Sequence, residues 1–310
     1  MIKHQSKIQS AYTMGRRKFL ASITATTGLV AISEKSVAHD RGTFNGAPAL
    51  TVQQVIDLIL KEIPGAPFAK TVDTIKSGEG GQPVTGIVTT MFATVDVIRK
   101  AASLGANFII AHEPTFYNHN DDTEWLEKDQ VYNFKRDLLN KHKIVVWRFH
   151  DYIHTYRPDG VLMGVLTKLG WEKYYNAENP ALVVHPPITV DEIATLAKKN
   201  MDISMVRIIG DRKQVCKRIA LIPGAAGGKA QIELLQKQKP DVLLVGEVHE
   251  WETAEYVRDA QAMGLPMSLI VMGHAESEEP GMAWLVSWLS PRVKDIKITH
   301  VPSHDPFQEV

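Results

Sequence analysis

The sequence predicts an α/β fold in which most strands are parallel. Strand-like apolar runs alternate with segments of helical periodicity along most of the chain after residue 50. Residues 86–114 and 218–250 also share one layout, in which a strand, a turn and a helix lead to a second strand with a polar end. Alternating strands and helices of this kind favour a largely parallel sheet, and the shared layout indicates two related lobes.

We expect the lobes to span about residues 50–170 and 215–310, joined by residues 171–214, within a single domain covering 39–310. Ligands of parallel sheets gather beyond the carboxyl ends of the strands. The functional site is therefore expected in the cleft between the two lobes.

The individual elements follow from periodicity and capping residues. Apolar residues recur at helical spacing through residues 51–63, and Thr51 with Gln54 forms a capping box. Further helices are predicted at 94–105, 124–142, 160–170, 189–200, 229–238, 250–264 and 280–289. Strands are predicted at 85–92, 106–114, 143–154, 218–224, 241–250, 266–274 and 296–302.

The composition limits the classes of partner. The chain has 310 residues with 35 basic and 35 acidic side chains, so its formal net charge of zero gives no electrostatic footprint for nucleic acid. Cys216 is the single cysteine, so no intrachain disulfide can form, and we expect it to pack as a small hydrophobe.

The first 38 residues have the pattern of an export signal. Arg16 and Arg17 precede an apolar stretch at residues 19–32, and a small-x-small cleavage pattern ends at Ala38. The arginine pair favours a twin-arginine signal; a Sec signal or a weak membrane anchor are the alternatives. Cleavage after Ala38 would give a periplasmic or otherwise extracytoplasmic protein with no stable membrane association. Export in the folded state agrees with a chain that forms no disulfide and acquires a metal before export.

Polar residues follow four of the predicted strands. These residues are His112 and Glu113, His150 and His154, Glu247 and His249, and His274 and Glu278. Each histidine by itself is more often a hydrogen-bonded surface residue than a ligand. As a set, imidazole and carboxylate groups suit Zn, Mn, Fe, Co or Ni better than Ca or Mg. Two such ions about 3.5–4 Å apart can share a carboxylate and activate a water molecule.

Several motifs resemble one known family. The segment "LGANFIIAHEP" is similar to an apolar strand followed by Ala-His-His-Pro, and "GHAESEEPG" is similar to a Gly-His-x-x-Ser/Thr-Glu signature. "GEVHEWETAEYVRDAQAMG" resembles the Gly-Asp/Glu-Ile segment of the same family, and Asp73 matches its early Trp-Asp-Asn-x-Gly motif. On these motifs the chain is identified as a divergent member of the NIF-three-like dinuclear metal centre family, also described as GTP cyclohydrolase 1 type 2 homologues. The resemblance covers roughly residues 50–310.

The resemblance implies five metal ligands, two divalent transition-metal ions and a homohexamer. The implied ligands are His112, Glu113, His154, His274 and Glu278. Glu113 stands where the family has a second histidine, and His154 stands where it has an aspartate. The two departures leave three histidines and two carboxylates, which is the family's own inventory.

Two functions remain open at this point. One is a metal-dependent hydrolase acting on a cyclic amide, ester or phosphoester outside the cytoplasm, where GTP is scarce. In that case His150 and His249 are the candidates for proton transfer. The other is a non-catalytic metal-binding scaffold or storage protein, which the two substituted ligands make more plausible.

Overall fold

The structure is a computed structural model that describes residues 49–307. Its strands are β1 (Ile75–Ser77), β2 (Ile87–Thr90), β3 (Phe108–Ala111), β4 (Val145–Arg148), β5 (Leu182–Thr189), β6 (Arg207–Ile209), β7 (Val215–Ile222), β8 (Val242–Val245), β9 (Ser268–Val271) and β10 (Ile298–His300). Its α-helices are α1 (Val52–Leu60), α2 (Val95–Ser103), α3 (Gln130–Lys141), α4 (Asp151–Thr155), α5 (Gly160–Leu169), α6 (Val190–Met201), α7 (Gly228–Gln238), α8 (Glu255–Ala262) and α9 (His274–Leu289). Short 3₁₀ turns and a π-helical turn at Glu250–Ala254 complete the described elements.

The strands form two five-stranded sheets. The first has the order β1-β4-β3-β2-β10, and the second has the order β5-β7-β8-β9-β6. The central strands pair in parallel, while β1, β5 and β6 are antiparallel to their neighbours. All residues of β2, β3, β4, β8 and β9 are buried, as parallel strands covered on both faces require. The predicted α/β fold with mostly parallel strands is confirmed.

Helices α5 and α9 cross closely and connect the two cores. A Cβ atom at Gly164 would lie 2.3 Å from the backbone oxygen of Pro280, and one at Gly281 would lie 2.6 Å from Cα of Val161. Helix α9 buries Met282 in the core of the first sheet, although it follows β9 of the second sheet. Helix α5 follows β4 of the first sheet and packs into the core of the second. The crossing therefore fixes the carboxyl ends of the two sheets relative to each other.

Sheet membership does not follow the order of the chain. The last strand, β10, pairs with β2 in the first sheet, so that His300 lies beside Thr89. The segment 171–214 contributes β5, β6 and α6 to the second half of the molecule. The predicted lobe ranges thus describe the repeated layout of the sequence. Each sheet also contains at least one strand that lies outside the predicted range of its lobe.

Two predicted element boundaries are wrong. The strand expected at 143–154 ends at Arg148, and its second part is the short helix α4. The last helix was expected to begin at Pro280, which is a favoured first-turn residue. It begins six residues earlier, at His274, with Pro280 inside the helix.

Two further features concern the whole of the described chain. Cys216 is fully buried in the core of the second sheet, where burial raises the pKa of its thiol to about 12. Within residues 49–307, no helix has both the length and the apolar character needed to cross a bilayer. The predicted signal peptide, residues 1–38, lies outside the described residues.

Candidate metal centre

The site lies where three elements of the chain end or begin. His112 and Glu113 follow β3 directly, and His154 lies in α4, just after β4. His274 and Glu278 occupy the first two turns of α9, four residues apart, so their side chains project from one face of the helix. The structure brings all five predicted ligands together, and His150 lies among them.

Each of the four histidines has its Nδ1 atom beside an oxygen acceptor. These pairs are His112 with the backbone oxygen of Phe149 at 3.0 Å, His150 with Asp151 at 2.9 Å, His154 with Asp159 at 2.9 Å, and His274 with Glu247 at 3.2 Å. A carbonyl or carboxylate oxygen requires a proton on the nitrogen that faces it. With that proton on Nδ1, each ring turns its Nε2 away from the partner, which is how metal-binding histidines are usually oriented.

The four Nε2 atoms converge on two carboxylates. His274 Nε2 lies 3.1 Å from Glu278 and 3.5 Å from Glu113; His112 and His154 lie 3.3 and 3.8 Å from Glu278, and His150 lies 3.6 Å from Glu113. His112 Nε2 is buried and has no hydrogen-bond partner among the described residues, because its approach to Glu278 lacks hydrogen-bond geometry. An unpartnered buried nitrogen is costly unless something else binds it.

The donor atoms form two groups that fit a metal ion. One group is His112, His150 and His154, and the other is His112, Glu113 and Glu278. Within each group all donor atoms lie within 4.8 Å of one another. Nitrogen and oxygen donors without thiolate suit a divalent transition metal. The residues present therefore fit a metal, and His112 is common to both groups.

The electrostatics of the cluster favour a cation. Burial acts to lower the pKa of both His112 and His274, but the neighbouring carboxylates outweigh it and raise these values to about 8 and about 10. Burial acts to raise the pKa of Glu278, but His112 and His274 outweigh it and hold it far below the usual range. Without a metal, protons on His112 and His274 compensate the buried carboxylates. A divalent ion can take the place of these protons.

A buried arginine supports the Glu113 position. Arg148, the last residue of β4, is fully buried, and its Nη2 donates to Glu113 Oε2 at 2.9 Å. Its Nε donates to the backbone oxygen of His112, and its Nη1 donates to that of His119. One guanidinium thus neutralises Glu113 and fastens the loop that follows β3. Arg148 is a site residue that no motif in the sequence indicates; its one signal is a basic residue that closes an otherwise apolar strand.

Asp73 organises the histidines that follow β4. Its carboxylate accepts the backbone N–H groups of His150, Asp151 and Tyr152 at 2.8–3.1 Å. These are the donors that a helix N-terminus leaves unsatisfied. The residue that matched an early motif therefore caps α4, the helix that carries His154, from 77 positions away.

The second sheet approaches the site through two glycines. A Cβ atom at Gly224 would lie 2.0 Å from Glu278 Oε1, and one at Gly246 would lie 2.4 Å from the Ser277 hydroxyl. Ser277 accepts the Gly224 N–H at 2.9 Å. Gly224 lies in the turn that joins β7 to α7. At the end of this turn, the N–H of Gly228 donates to the carboxylate of Glu252. This turn therefore packs closely against α9, and the carboxylate of Glu252 already binds the N-terminus of α7.

His249 does not join the cluster. It lies on the surface after β8, where its Nδ1 pairs with Glu252 and its ring stacks on the exposed Trp251. Its predicted role in proton transfer stays a prediction. Glu247, from the same strand end, does reach the site, because it contacts Nδ1 of His274.

A cavity of about 770 Å³ opens beside the cluster. Glu113, His150, His154, His274 and Glu278 line one end. Most of the remaining wall is apolar and comes from α5, the end of β7, the turn after it, α7 and the segment that precedes β5. A cavity of this size accommodates a small organic molecule.

Comparisons with known proteins agree with this architecture. A profile of the Duf34/NIF3 (NGG1p interacting factor 3) family matches residues 51–306. A protein of Clostridium perfringens, named GTP cyclohydrolase 1 type 2 homolog, is 24% identical over 244 residues, which are 74% of this chain and 88% of that protein. A homolog of the same name from Buchnera aphidicola is 22% identical over 80% of this chain and 96% of its own length.

Solved structures show the same fold. Staphylococcus aureus protein SA1388 superposes with a TM-score of 0.68 at 19% identity, over 85% of this chain and all of that one. A Bacillus cereus protein related to NIF3 gives 0.66 at 16% identity, again over 85% of this chain and all of its own. At these identities the likeness concerns the fold alone. The family match over residues 51–306 confirms the resemblance found in the sequence motifs: this chain belongs to the Duf34/NIF3 family.

Proposed function

We propose that this protein is a metal-dependent hydrolase with two divalent transition-metal ions, acting on a small molecule outside the cytoplasm. The observation that supports it is the convergence of four oriented histidine Nε2 atoms on Glu113 and Glu278 beside an open cavity. The proposed ligands are His112, Glu113, His154, His274 and Glu278. Divalent ions bound there would supply Lewis acidity and a water molecule of lowered pKa.

Glu278 is placed to serve both donor groups. Its Oε2 faces His112 and His274, while its Oε1 faces His154. Glu113 contributes less negative charge, because Arg148 already occupies its other oxygen. Glu278 thus offers a metal the larger negative charge, and Glu113 offers a smaller one because it is paired with Arg148.

His150 has two possible roles. Burial, followed by the charge of His112, lowers its pKa to about 4, so it is neutral at pH 7 and can accept a metal or a proton. A His150→Gln variant separates the roles. Lost metal identifies a ligand, whereas retained metal with lost turnover identifies a proton carrier.

The substrate class rests on the predicted export. The relatives of the chain carry the name of a GTP cyclohydrolase homolog, but nucleoside triphosphates are scarce outside the cytoplasm. Cyclic amides, esters and phosphoesters are therefore the substrates we propose to test first.

A non-catalytic scaffold is the second candidate. The observation that favours it is the exchange of two family ligands, Glu113 for histidine and His154 for aspartate. A hexamer of the kind the family resemblance implies could hold or store metal without turnover.

The first experiment measures metal content by plasma mass spectrometry on residues 39–310, purified without a metal-binding tag. We expect about two equivalents of a transition metal in the wild type, and losses in His274→Ala and Glu113→Ala. His249→Ala is the matched control and should keep its metal. A wild type that neither contains nor takes up Zn, Mn or Fe would refute the metal centre.

Turnover separates the two candidates. The metal-loaded chain is assayed on a panel of esters, phosphoesters and cyclic amides, with Glu278→Gln as the inactive control. Metal-dependent turnover that is lost in Glu278→Gln supports the hydrolase. Two bound ions with no turnover across the panel support the scaffold.

A further inference from the structure

The cavity beside the candidate metal centre combines three chemically distinct surfaces. One end carries the imidazole and carboxylate cluster. The long wall is apolar, with side chains from α5, β7 and α7: Val161, Leu162, Leu221, Ile222, Ala230 and Leu234. Arg157 is the one arginine or lysine among the described residues that line it. A cavity of this kind suits a ligand with a metal-seeking group, an apolar body and a further polar contact.

Arg157 is held in place beside the cluster. It follows α4, the helix that carries His154, and its Nη1 donates to the backbone oxygens of His154 and Tyr156 at 2.7 and 2.9 Å. Both carbonyls accept from Nη1, which limits the orientations open to this exposed guanidinium. A fixed guanidinium loses less conformational entropy when it binds a further partner than a free side chain does.

The charge of Arg157 is not compensated within the described chain. Among residues 49–307 no carboxylate forms an ion pair with it, and its Nε and Nη2 have no hydrogen-bond acceptor. The nearest acidic neighbour in sequence, Asp159, is already engaged. Its Oδ2 pairs with His154, and its Oδ1 accepts the N–H groups at the start of α5. The guanidinium therefore offers two parallel N–H donors, the arrangement that carboxylate and phosphate recognise.

We propose that Arg157 is a specificity residue that binds an anionic head group of the substrate. The substrate class is then an amphiphilic anion: a hydrolysable group at the metal end, an apolar body along α5 and α7, and a carboxylate or phosphate that reaches Arg157. This inference rests on the proposed function for the reacting group, but the recognition itself is a binding property that can be measured without turnover.

The test uses two probes that differ only at the far end. Octanohydroxamic acid and suberic acid monohydroxamate share a hydroxamate, which binds transition metals, and an apolar chain; the second ends in a carboxylate. Their dissociation constants for the metal-loaded chain are measured by calorimetry. We expect the carboxylate probe to bind about tenfold more tightly, as a charge-assisted hydrogen-bonded pair at a partly exposed site permits.

The variant Arg157→Gln should reduce this preference to less than about twofold and leave the affinity for octanohydroxamic acid unchanged, since only the charged contact is removed. The ratio of the two affinities is informative because a folding defect would weaken the binding of both probes. Arg99→Gln, which removes an exposed arginine paired with Asp96 on α2, is the matched control and should keep the full preference. Chains of five to ten carbons and a phosphonate end group identify the reach and the type of head group.

Three outcomes would overturn the inference: equal binding of the two probes at every chain length, a preference that survives Arg157→Gln, or no binding of either probe to the metal-loaded chain. A carboxylate preference without turnover of any substrate would leave the inference standing and remove the hydrolase. If the chain takes up no metal, octanoate and octanamide are compared on the metal-free protein. Dependence of octanoate binding on Arg157 then supports the inference, and its absence refutes it.

Discussion

The ends of β3 and β8 look alike in sequence and differ in the folded protein. Each follows a buried four-residue parallel strand, and each carries an acid and a histidine: His112 with Glu113, and Glu247 with His249. After β3 both residues are buried in the candidate metal centre. After β8 the histidine lies on the surface against Trp251.

The difference comes from what covers each strand end. Beyond β3, Arg148 of the neighbouring strand and the first turns of α9 enclose the polar residues and give them partners. Beyond β8, the chain passes into a π-helical turn at the surface, and His249 contacts Glu252 and Trp251 of that turn. A polar strand end becomes a site only where neighbouring elements bury it and complete its contacts.

The largest effect on stability is expected when Arg148, which encloses the residues after β3, is replaced. Arg148→Met leaves the Glu113 carboxylate buried without its cation, so the free energy of unfolding should fall by about 3–5 kcal/mol. Urea denaturation measures it. The double variant Glu113→Gln/Arg148→Met should recover most of the loss, because neither charge is then left unpaired. His249→Gln, at the end of β8, should stay within about 0.5 kcal/mol of wild type. A double variant as unstable as Arg148→Met would contradict the pairing.

The next largest effect on stability is expected at Gly224, where the second sheet packs against Glu278. Gly224→Ala places a methyl group against Glu278 at a residue with φ of +70°, so we expect a loss of about 2–4 kcal/mol and reduced metal content. Gly170→Ala, at the end of α5, is the control. Its φ is +71° in the left-handed region, but nothing lies within 4 Å of the added methyl, so only about 1 kcal/mol should be lost. Equal losses in the two variants would show that contact with Glu278 is unimportant.

A second buried cation distinguishes the loop after β3. Lys135 of α3 donates its Nζ to the backbone oxygen of Thr115, and burial lowers its pKa to about 8. The unfolded chain keeps a higher pKa and binds the proton more tightly, so the lysine destabilises the folded protein below about pH 8. This penalty disappears as the pH rises toward the unfolded value. Relative to Lys135→Met, wild-type stability should therefore increase by roughly 3 kcal/mol between pH 8 and pH 10.5. A difference independent of pH would refute the lowered pKa.

The smallest effect concerns histidine orientation. Asp159→Asn keeps an oxygen for the α5 N-cap but can turn an amide N–H toward Nδ1 of His154, which disfavours the tautomer that presents a free Nε2. Metal affinity should fall by about 10–100-fold, as for other groups that orient a metal-binding histidine. Competition with a chromogenic chelator measures it. Glu252→Gln, the equivalent change beside His249, should leave the affinity unchanged.

Much of the fold could be predicted because its signals are local. Helical periodicity and the Thr51 capping box identified α1, and alternation of strands and helices identified the parallel sheets. Local signals failed where distant residues decide. The predicted strand through β4 is too long because Asp73, far away in sequence, caps α4 and turns the chain. The predicted start of α9 is too late because Pro280 is a common first-turn residue, whereas here it lies inside a helix packed closely on Gly164.

The sequence by itself determined the fold class and the family and singled out the candidate ligands, since motif spacing and strand ends are encoded in short stretches of chain. Only the tertiary structure decided which partners these residues have. It placed Arg148 against Glu113, brought β10 beside β2, aligned Gly224 with Glu278 and left His249 at the surface. Burial and charge pairing join residues that are tens to hundreds of positions apart, and no local pattern in the sequence records which of them will meet.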